Sequence, residues 1–256
     1  MDAMETITVP ETLHGYPGVA FGGYVAGVLA ARVPGGGVGA GSGAGGGAVR
    51  VDFRRPVPTM TAVRVGAGAD GTGAAVLDAD GVLLAAATAV AAPGGEVPEA
   101  PSWAEASKAA DAYRAAPPDG QVDCFGCGLG RSPAMGLRLH CGVVEGRDLV
   151  AAAWTPDPAL LDPEGLLPPE LMWAALDCPG NAAGRLLGEG GPAGAVTAAL
   201  TGRLLRVVPG AGGLVSYAWL LGVEGRKCAV GTALATADGE LCAVGEALWV
   251  RPRGVA

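Results

Sequence analysis

The first part of the chain combines one helical stretch with a series of strand-like segments. Residues 21–33 (FGGYVAGVLAARV) are apolar on every side, which is typical of a helix that is buried all round. Asp78, Asp80 and Gly81 predict a hairpin turn further along. Short apolar or alternating segments bounded by turn residues predict four strands, at 48–57, 61–69, 73–81 and 82–92.

The second part repeats this order. Residues 136–156 predict two strands, and the stretch PPELMWAALD predicts a helix over 169–176 with proline at its start. Asp238 and Gly239 mark a turn between the last two strands, as in the first part. The four strands after the helix are predicted at 196–208, 213–223, 226–238 and 240–252.

A segment of different composition separates the two parts. PGGEVPEAPSW, at 93–103, is rich in turn residues. A short helix is predicted after it, with Ser102 as the N-cap and Glu105 completing a capping box. The sequence therefore predicts an N-terminal domain at 1–92, a linker with a short helix at 93–123, and a C-terminal domain at 124–256.

Each domain thus combines a helix with an antiparallel meander of strands. A helix that is apolar on all sides needs cover on all sides, and a long sheet wrapped around it supplies that cover. This is the hotdog architecture. We predict an α+β protein with two hotdogs in tandem, in which two antiparallel sheets each wrap around a central helix. The two copies can pair side by side, so that the sheet becomes continuous.

Three segments resemble proteins of the double-hotdog thioesterase superfamily. VAFGGYVAGVLAA (19–31) and VDFRRPVP (51–58) resemble a helix and a strand of acyl-CoA thioesterase II proteins. CFGCGLGRSPAMGLRL (124–139) resembles the opening of phenylacetate-type hotdog thioesterases, with Ser132 and Pro133 where those proteins usually have Asn-Pro. The resemblance covers nearly the whole chain and rests on the order, spacing and duplication of the motifs.

The resemblance implies an enzyme that hydrolyses acyl thioesters of coenzyme A or of an acyl carrier protein. It implies no cofactor, since coenzyme A or phosphopantetheine enters as part of the substrate, and it allows a homodimer of double hotdogs. Two alternatives stay open, a non-catalytic acyl-thioester binder and a hotdog dehydratase or hydratase. Dehydratase chemistry needs a histidine, which neither helix contains, although His14 precedes the first helix and could enter the site.

Charge and hydropathy argue against several other classes of function. The net charge is −8 and the pI is near 4.8, which disfavours binding to nucleic acid or to anionic membranes. No apolar run reaches the roughly 18 residues of a membrane span. The N-terminus has early acidic residues and lacks the basic segment of a signal peptide. We therefore expect a cytoplasmic protein.

The glycine and cysteine patterns predict no phosphate or metal site. The glycine-rich run at 35–47 lacks the Lys and Ser or Thr that follow in a phosphate-binding loop, so it predicts a surface loop. Cys124 and Cys127 form a single CxxC motif, whereas zinc needs about four ligands. The sequence has no second such motif and contains two histidines. We expect these two cysteines to be metal-free, in a loop at the mouth of a pocket.

The candidate base is Asp177. Thioester hydrolysis needs a carboxylate as base or nucleophile and backbone donors for the oxyanion. In hotdog thioesterases the helix has a glycine at its N-terminus and an acid eight residues later. Aligning the two helices places Gly22 with Pro169. It also places Ala30 with Asp177, so the first helix keeps only the glycine and the second keeps only the acid. We infer one composite site in which the Gly22 or Gly23 amide meets the oxyanion. The alternative is that the aspartate caps a turn before a proline.

Three further residues are candidates with less specific signals. By the resemblance, Thr197 helps to position the attacking water; otherwise it is simply a good strand former. The family also uses a Gln on the last strand, where this sequence has Gly245 followed by Glu246, which either substitutes for it or faces solvent. Asn181, one turn beyond the candidate base, can orient water or substrate unless Pro179 breaks the helix.

Arginines lie at equivalent places in the two halves. They either hold the phosphates of coenzyme A or the acidic face of a carrier protein, or are ordinary surface residues. Of these arginines, Arg55 and Arg206 are the candidates for substrate binding. The full set is Arg54, Arg55, Arg203 and Arg206.

Overall fold

The computed structural model describes residues 4–37, 46–68, 71–117, 123–188 and 194–253 of the chain. Most of the glycine-rich run at 35–47 lies outside these residues. The described ranges contain three α-helices, α1 (Gly22–Ala30), α2 (Trp103–Ala115) and α3 (Pro169–Leu186). The three helices predicted from the sequence are therefore confirmed, and α3 is longer than predicted. No helix in the described part of the chain combines the length and hydropathy needed to cross a membrane.

The strands form one large sheet and one small pair. The predicted strands are confirmed, most of them with shorter bounds, and short strands near the N-terminus are added. Their bounds are β1 (Glu5–Thr8), β2 (His14–Tyr16), β3 (Val19–Ala20), β4 (Ala48–Phe53), β5 (Ala62–Ala67), β6 (Ala74–Leu77), β7 (Leu83–Val90), β8 (Gly142–Val143), β9 (Leu149–Trp154), β10 (Val196–Leu204), β11 (Leu214–Glu224), β12 (Lys227–Thr236) and β13 (Leu241–Val250). β2 pairs with β3, and the other eleven strands form the large sheet.

Both halves of the large sheet have the same strand order. In the first half, β1 precedes α1 and pairs with the second long strand after the helix, which gives the order β1-β5-β6-β7-β4. In the second half, β9 precedes α3 and the order is β9-β11-β12-β13-β10, with β8 added at the outer edge. The pairings between the described strands are antiparallel. The predicted antiparallel meanders are present for three strands in each half, β5-β6-β7 and β11-β12-β13. The first strand after each helix, β4 or β10, pairs with the last strand of its half and not with the second.

The two predicted sheets are not distinct in the structure, because β4 and β10 join the two halves into one sheet of eleven strands. The two strands pair from Val49 opposite Gly202 to Asp52 opposite Ala199. An edge strand presents unpaired N–H and C=O groups, and here each half covers the edge of the other. The structure has the side-by-side pairing that the sequence allowed.

α3 and α2 cover opposite faces of the sheet. Successive residues of a strand point to opposite faces. On β11, the Ser216 hydroxyl reaches α3, whereas Tyr217 packs in a cluster with Ala106 and Ala109 of α2. α2 also begins as predicted, with a capping box formed by the side chains and backbone of Ser102 and Glu105.

α3 ends at Leu186 rather than at Leu176 and passes through Pro179. A proline inside a helix removes the N–H that would bond the carbonyl four residues earlier. Here that carbonyl belongs to Ala175, and the Ser216 hydroxyl donates to it at 2.7 Å. A contact from another element thus replaces the lost helix bond, and the helix continues.

Glycines allow α1 and α3 to pack at very short range. A Cβ at Gly23 would lie 2.7 Å from the Cα of Ala174, and a Cβ at Gly27 would lie 2.5 Å from the Cα of Glu170. The later residue of α1 contacts the earlier residue of α3, so the two helices run in opposite directions. Any larger side chain at these two positions would push the helices apart. The contact places the first turn of α1 beside the middle of α3.

Candidate active site

The carboxylate of Asp177 is held between the two halves of the chain. Asp177 lies in the middle of α3 and is 1% exposed. The Gly23 N–H of α1 donates to its Oδ2 at 2.8 Å, and the Thr197 hydroxyl of β10 donates to its Oδ1 at 2.8 Å. Both bonds stabilise the ionised form of a buried carboxylate and fix its orientation.

The first turn of α1 brings backbone, rather than side chains, to this carboxylate. A Cβ at Gly23 would lie 2.8 Å from the Cβ of Asp177, so only glycine lets the amide approach. A Cβ at Gly22 would lie 3.1 Å from Asp177 Oδ2 and 3.4 Å from Thr197 Oγ1. The FGG sequence thus supplies two helix N-terminal amides at close range.

Burial raises the pKa of Asp177 to about 7. Desolvation disfavours the charged carboxylate and is the largest cause. The hydrogen bonds from Thr197 and Gly23 favour the charged form and offset part of this rise, while negative charge at Cys124 adds to it. Near neutral pH, this carboxyl group can therefore both accept and release a proton, whereas an exposed aspartate stays ionised.

A cavity of about 500 Å³ reaches Asp177 and has walls from both halves. Aromatic and aliphatic side chains form most of its surface. The Tyr16 hydroxyl donates to the Ala195 carbonyl at 2.8 Å and so ties the first half to the start of β10. Burial raises the pKa of Tyr16 to about 12, which keeps this hydroxyl protonated as a donor. The apolar part of the wall includes Val19, Phe21, Phe53, Val57, Val196 and Trp249.

The two predicted oxyanion donors have different surroundings. The Gly23 N–H is engaged by Asp177, so it orients the carboxylate. Gly22 is the first residue of α1 and lines the cavity. Its N–H belongs to the first turn, whose amides have no acceptor within the helix. Gly22 is therefore the amide of the pair that can meet a carbonyl oxygen in the cavity.

The structure brings Asn181 and two of the arginines to the cavity, but not the others. Asn181 lines it one turn beyond Asp177, and the exposed Arg54 and Arg55 lie at its surface. Arg206 is instead paired with Glu240 at 2.6 Å. Arg203 donates to the Gly46 carbonyl at 2.9 Å. Neither Arg203 nor Arg206 is part of the cavity wall.

Gly245, where the family that the sequence resembles has a glutamine, does not face the cavity. Gly245 packs toward Leu176 and Thr232, where a Cβ would lie 2.6 Å from the Thr201 carbonyl oxygen, so no side chain fits. Glu246 follows on the alternate face of β13 and is absent from the cavity wall. From β13, Trp249 and Val250 reach the cavity, and they pair with Thr197 and Val196 of β10.

His14 is buried at one side of the cavity and is held by its neighbours. Its Nδ1 lies 2.6 Å from the Glu11 carbonyl, and its Nε2 lies 3.3 Å from the Asp123 carboxylate. The Arg131 guanidinium lies 3.2 Å from the same nitrogen and pairs with Asp123 at 2.9 Å. This network uses both ring nitrogens.

Three cysteine sulfurs meet at the cavity wall. Cys124 and Cys127 lie in the turn that follows the linker, and Cys178 lies next to Asp177 on α3. The pKa of Cys124 is well below its usual value because the Cys127 and Cys178 thiols and two backbone N–H groups donate to its sulfur. Sequence reasoning placed the CxxC motif at the pocket but missed Cys178. The only signal for it was its position beside the candidate base.

Solved structures with a similar fold cover nearly the whole chain. A candidate thioesterase from Novosphingobium aromaticivorans is 14% identical, with a TM-score of 0.61 over 98% of this chain and 96% of that one. A protein of unknown function with a hot dog fold from Alicyclobacillus acidocaldarius is 17% identical, with a TM-score of 0.58 over 99% and 97%. The chain has the hotdog fold.

Another solved structure matches to a similar extent. A candidate thioesterase II from Thermobifida fusca is 17% identical, with a TM-score of 0.58 over 99% of this chain and 95% of that one. No protein-family model and no curated protein matches the sequence. At these identities the likeness shows the fold alone.

Proposed function

We propose that this chain is an acyl thioester hydrolase in which Asp177 activates the attacking water. One observation carries the proposal: a buried carboxylate, a helix N-terminal amide and a threonine hydroxyl from three elements meet beside a largely apolar cavity. A base, an oxyanion donor and an acyl pocket are the three parts that this reaction needs. The similarity in fold to candidate thioesterases supports the same activity.

We further propose that the two halves are two hotdog units that share this one site. The first unit supplies the Gly22 and Gly23 amides, and the second supplies Asp177 and Thr197. The matching strand orders of the two halves and the β4–β10 pairing support this assignment. Each unit alone would lack part of the machinery.

In the proposed reaction, Asp177 takes a proton from water while the water oxygen bonds to the thioester carbonyl carbon. The carbonyl oxygen becomes an oxyanion, which the Gly22 N–H and the positive end of α1 stabilise. Collapse of the tetrahedral intermediate breaks the C–S bond. The proton passes from Asp177 to the leaving thiolate, so that a carboxylic acid and a thiol are formed and the base is regenerated.

The surroundings of the cavity support an acyl thioester of coenzyme A or of a carrier protein as substrate. The apolar wall of the cavity suits an acyl chain. The volume of the cavity, about 500 Å³, is typical of a small-molecule site. Arg54 and Arg55 are exposed at the cavity surface and can pair with phosphate oxygens. The two arginines place positive charge beside the cavity in a chain whose net charge is −8.

A non-catalytic acyl-thioester binder is the second candidate. The observation that favours it is at Gly245, where the close packing leaves no room for the glutamine used by the family that the sequence resembles. A panel of acyl-CoAs of increasing chain length separates the two candidates. Loss of the thioester ultraviolet absorbance is the appropriate readout, because it is insensitive to the six protein cysteines.

An enzyme should turn over at least one member of the panel many times per protein chain. A binder should bind the same compound, measured by calorimetry, and leave the thioester intact. Binding without turnover across the panel would reject the hydrolase in favour of the binder.

A further inference from the structure

The cluster of three cysteines beside the base has a geometry that the proposed hydrolysis does not use. The sulfurs of Cys124, Cys127 and Cys178 all lie within 4.8 Å of one another. Two come from one tight turn and the third from α3, so the fold brings together residues more than fifty positions apart. Cys127 and Cys178 are each 7% exposed, and all three residues line the cavity, which gives an ion a path to them.

The spacing of the sulfurs suits a shared metal ion. The Cys124 and Cys178 sulfurs are 3.9 Å apart. A Zn–S bond is about 2.3 Å, so two thiolates on a tetrahedral zinc ion lie about 3.8 Å apart. A disulfide, by contrast, requires about 2.05 Å between sulfurs. The Cys124 and Cys178 side chains therefore lie close to the spacing of metal ligands.

The backbone of the turn is shaped for a thiolate. The N–H groups of Gly126 and Cys127 donate to the Cys124 sulfur, and the Gly128 N–H donates to the Cys124 carbonyl at 2.7 Å. A Cβ at Gly126 would collide with the sulfur of Cys178, so glycine at this position lets α3 approach the turn. Hydrogen bonds to a thiolate of this kind orient a ligand and stabilise its charge.

We propose that the thiolates of Cys124, Cys127 and Cys178 bind one Zn²⁺ ion at the cavity wall. Three protein ligands leave the fourth tetrahedral position to water or to a ligand in the cavity. Thiolates are soft ligands that select zinc over magnesium or calcium. On binding, the thiol protons pass to solvent, and the ion fastens the turn of the second half to α3 next to Asp177. The sequence-based expectation was a metal-free pair, because the sequence has no second CxxC motif and only two histidines.

The test uses the full chain, reduced and treated with a chelator, and then titrated with Zn²⁺ or with Co²⁺ as a spectroscopic probe. We expect about one equivalent of Zn²⁺ to bind, with release of protons. We also expect Co²⁺ to give thiolate-to-metal charge-transfer absorption. Cys178→Ser should weaken Zn²⁺ binding by more than the roughly 10- to 100-fold that the loss of an outer-shell partner costs.

Cys242→Ser is the matched control and should leave the titration unchanged. Its sulfur lies elsewhere in the core and donates to the Glu240 carbonyl, a bond that a serine hydroxyl can replace. Cys127→Ser provides a second test from the turn if Cys178→Ser fails to fold. Absence of the charge-transfer band, or stoichiometric zinc binding that persists in both variants, would overturn the proposal. None of these readouts depends on thioester hydrolysis.

Discussion

Helices α1 and α3 are related by position but differ in chemistry. Asp52 of β4 pairs with Ala199 of β10, 147 positions later (199 − 52), and Gly22 and Pro169 are separated by the same distance (169 − 22). With this offset, Gly23 corresponds to Glu170 and Gly27 corresponds to Ala174. The two helix contacts, Gly23 against Ala174 and Gly27 against Glu170, are therefore equivalent to each other. These equivalences support a pseudo-twofold axis between the halves.

This axis would generate two sites, and the residues support only one. At the start of α3 and the end of α1, Pro169 has no N–H to donate, and Ala30 has no carboxylate. At the other end, the Gly23 amide and the Asp177 carboxylate bond to each other at 2.8 Å. Under the proposed function, the two halves would share one complete site, with the donor on the first half and the acid on the second.

The largest expected effect comes from removing the acid. Asp177→Asn should keep the fold and the binding of a non-hydrolysable thioester analogue. It should lower kcat by about two to four orders of magnitude, the usual scale for a lost general base. Steady-state kinetics with the best substrate of the acyl-CoA panel provide the measurement. Asp238→Asn, in an exposed turn, is the control. Equal rates for the Asn variant and the parent would make Asp177 a structural residue.

Adding an acid to the first half should not create a second site. Ala30→Asp would place a carboxylate in a fully buried position, and the residue aligned with Gly22, the proposed oxyanion donor, is Pro169, which has no N–H. An uncompensated buried charge costs about 3–5 kcal/mol, so chemical denaturation should show a large loss of stability. A variant that is as stable as the parent and twice as active would contradict the single-site assignment.

Removing the threonine hydroxyl should have an intermediate effect. Thr197→Val loses the 2.8 Å bond to Asp177 Oδ1 while keeping a β-branched side chain in the strand. A hydrogen bond to a charged group contributes about 1.5–3 kcal/mol, so kcat should fall by roughly 10- to 100-fold. Thr201→Val, further along β10, is the control, and a similar loss of activity there would mean that strand packing, rather than this bond, matters.

The two close glycine contacts separate stability from catalysis. Gly23→Ala and Gly27→Ala should each destabilise the protein by about 1–3 kcal/mol, because each methyl group would overlap with α3. Only Gly23→Ala also disturbs the amide bonded to Asp177, so only this variant should lose activity per folded molecule. Denaturation curves and kinetics on the same samples test both statements, and equal activity losses would contradict the second.

The smallest expected effect is at the cavity surface. Arg55→Ala should raise KM by no more than about five-fold, because an exposed charge pair contributes about 0.2–1 kcal/mol. The effect should shrink as salt is added. Arg206→Ala should leave KM unchanged, since this side chain pairs with Glu240 away from the cavity. A larger effect at Arg206 would place the phosphate contacts on the other half.

Residues close together in the sequence determined the parts of this protein that could be predicted. The apolar stretches around α1 and α3, the Ser102–Glu105 capping box and the turn before Gly239 are all encoded within a few positions. Such features depend on local backbone preferences and on the period of apolar residues. The alignment of the two helices also singled out Asp177, because an acid in an otherwise apolar helix is conspicuous within a short window.

The tertiary structure alone decided how these parts meet. The Gly23 amide and Asp177 are 154 positions apart, and their bond makes Gly23, and not Gly22, the amide that orients the carboxylate. α3 continues through Pro179 because Ser216, on another strand, bonds the freed carbonyl. The packing of α3 against the CxxC turn likewise brings the Cys178 sulfur within 4.8 Å of the Cys124 and Cys127 sulfurs. No local pattern encodes these contacts, because each depends on the distance between elements that only the packed sheet and helices set.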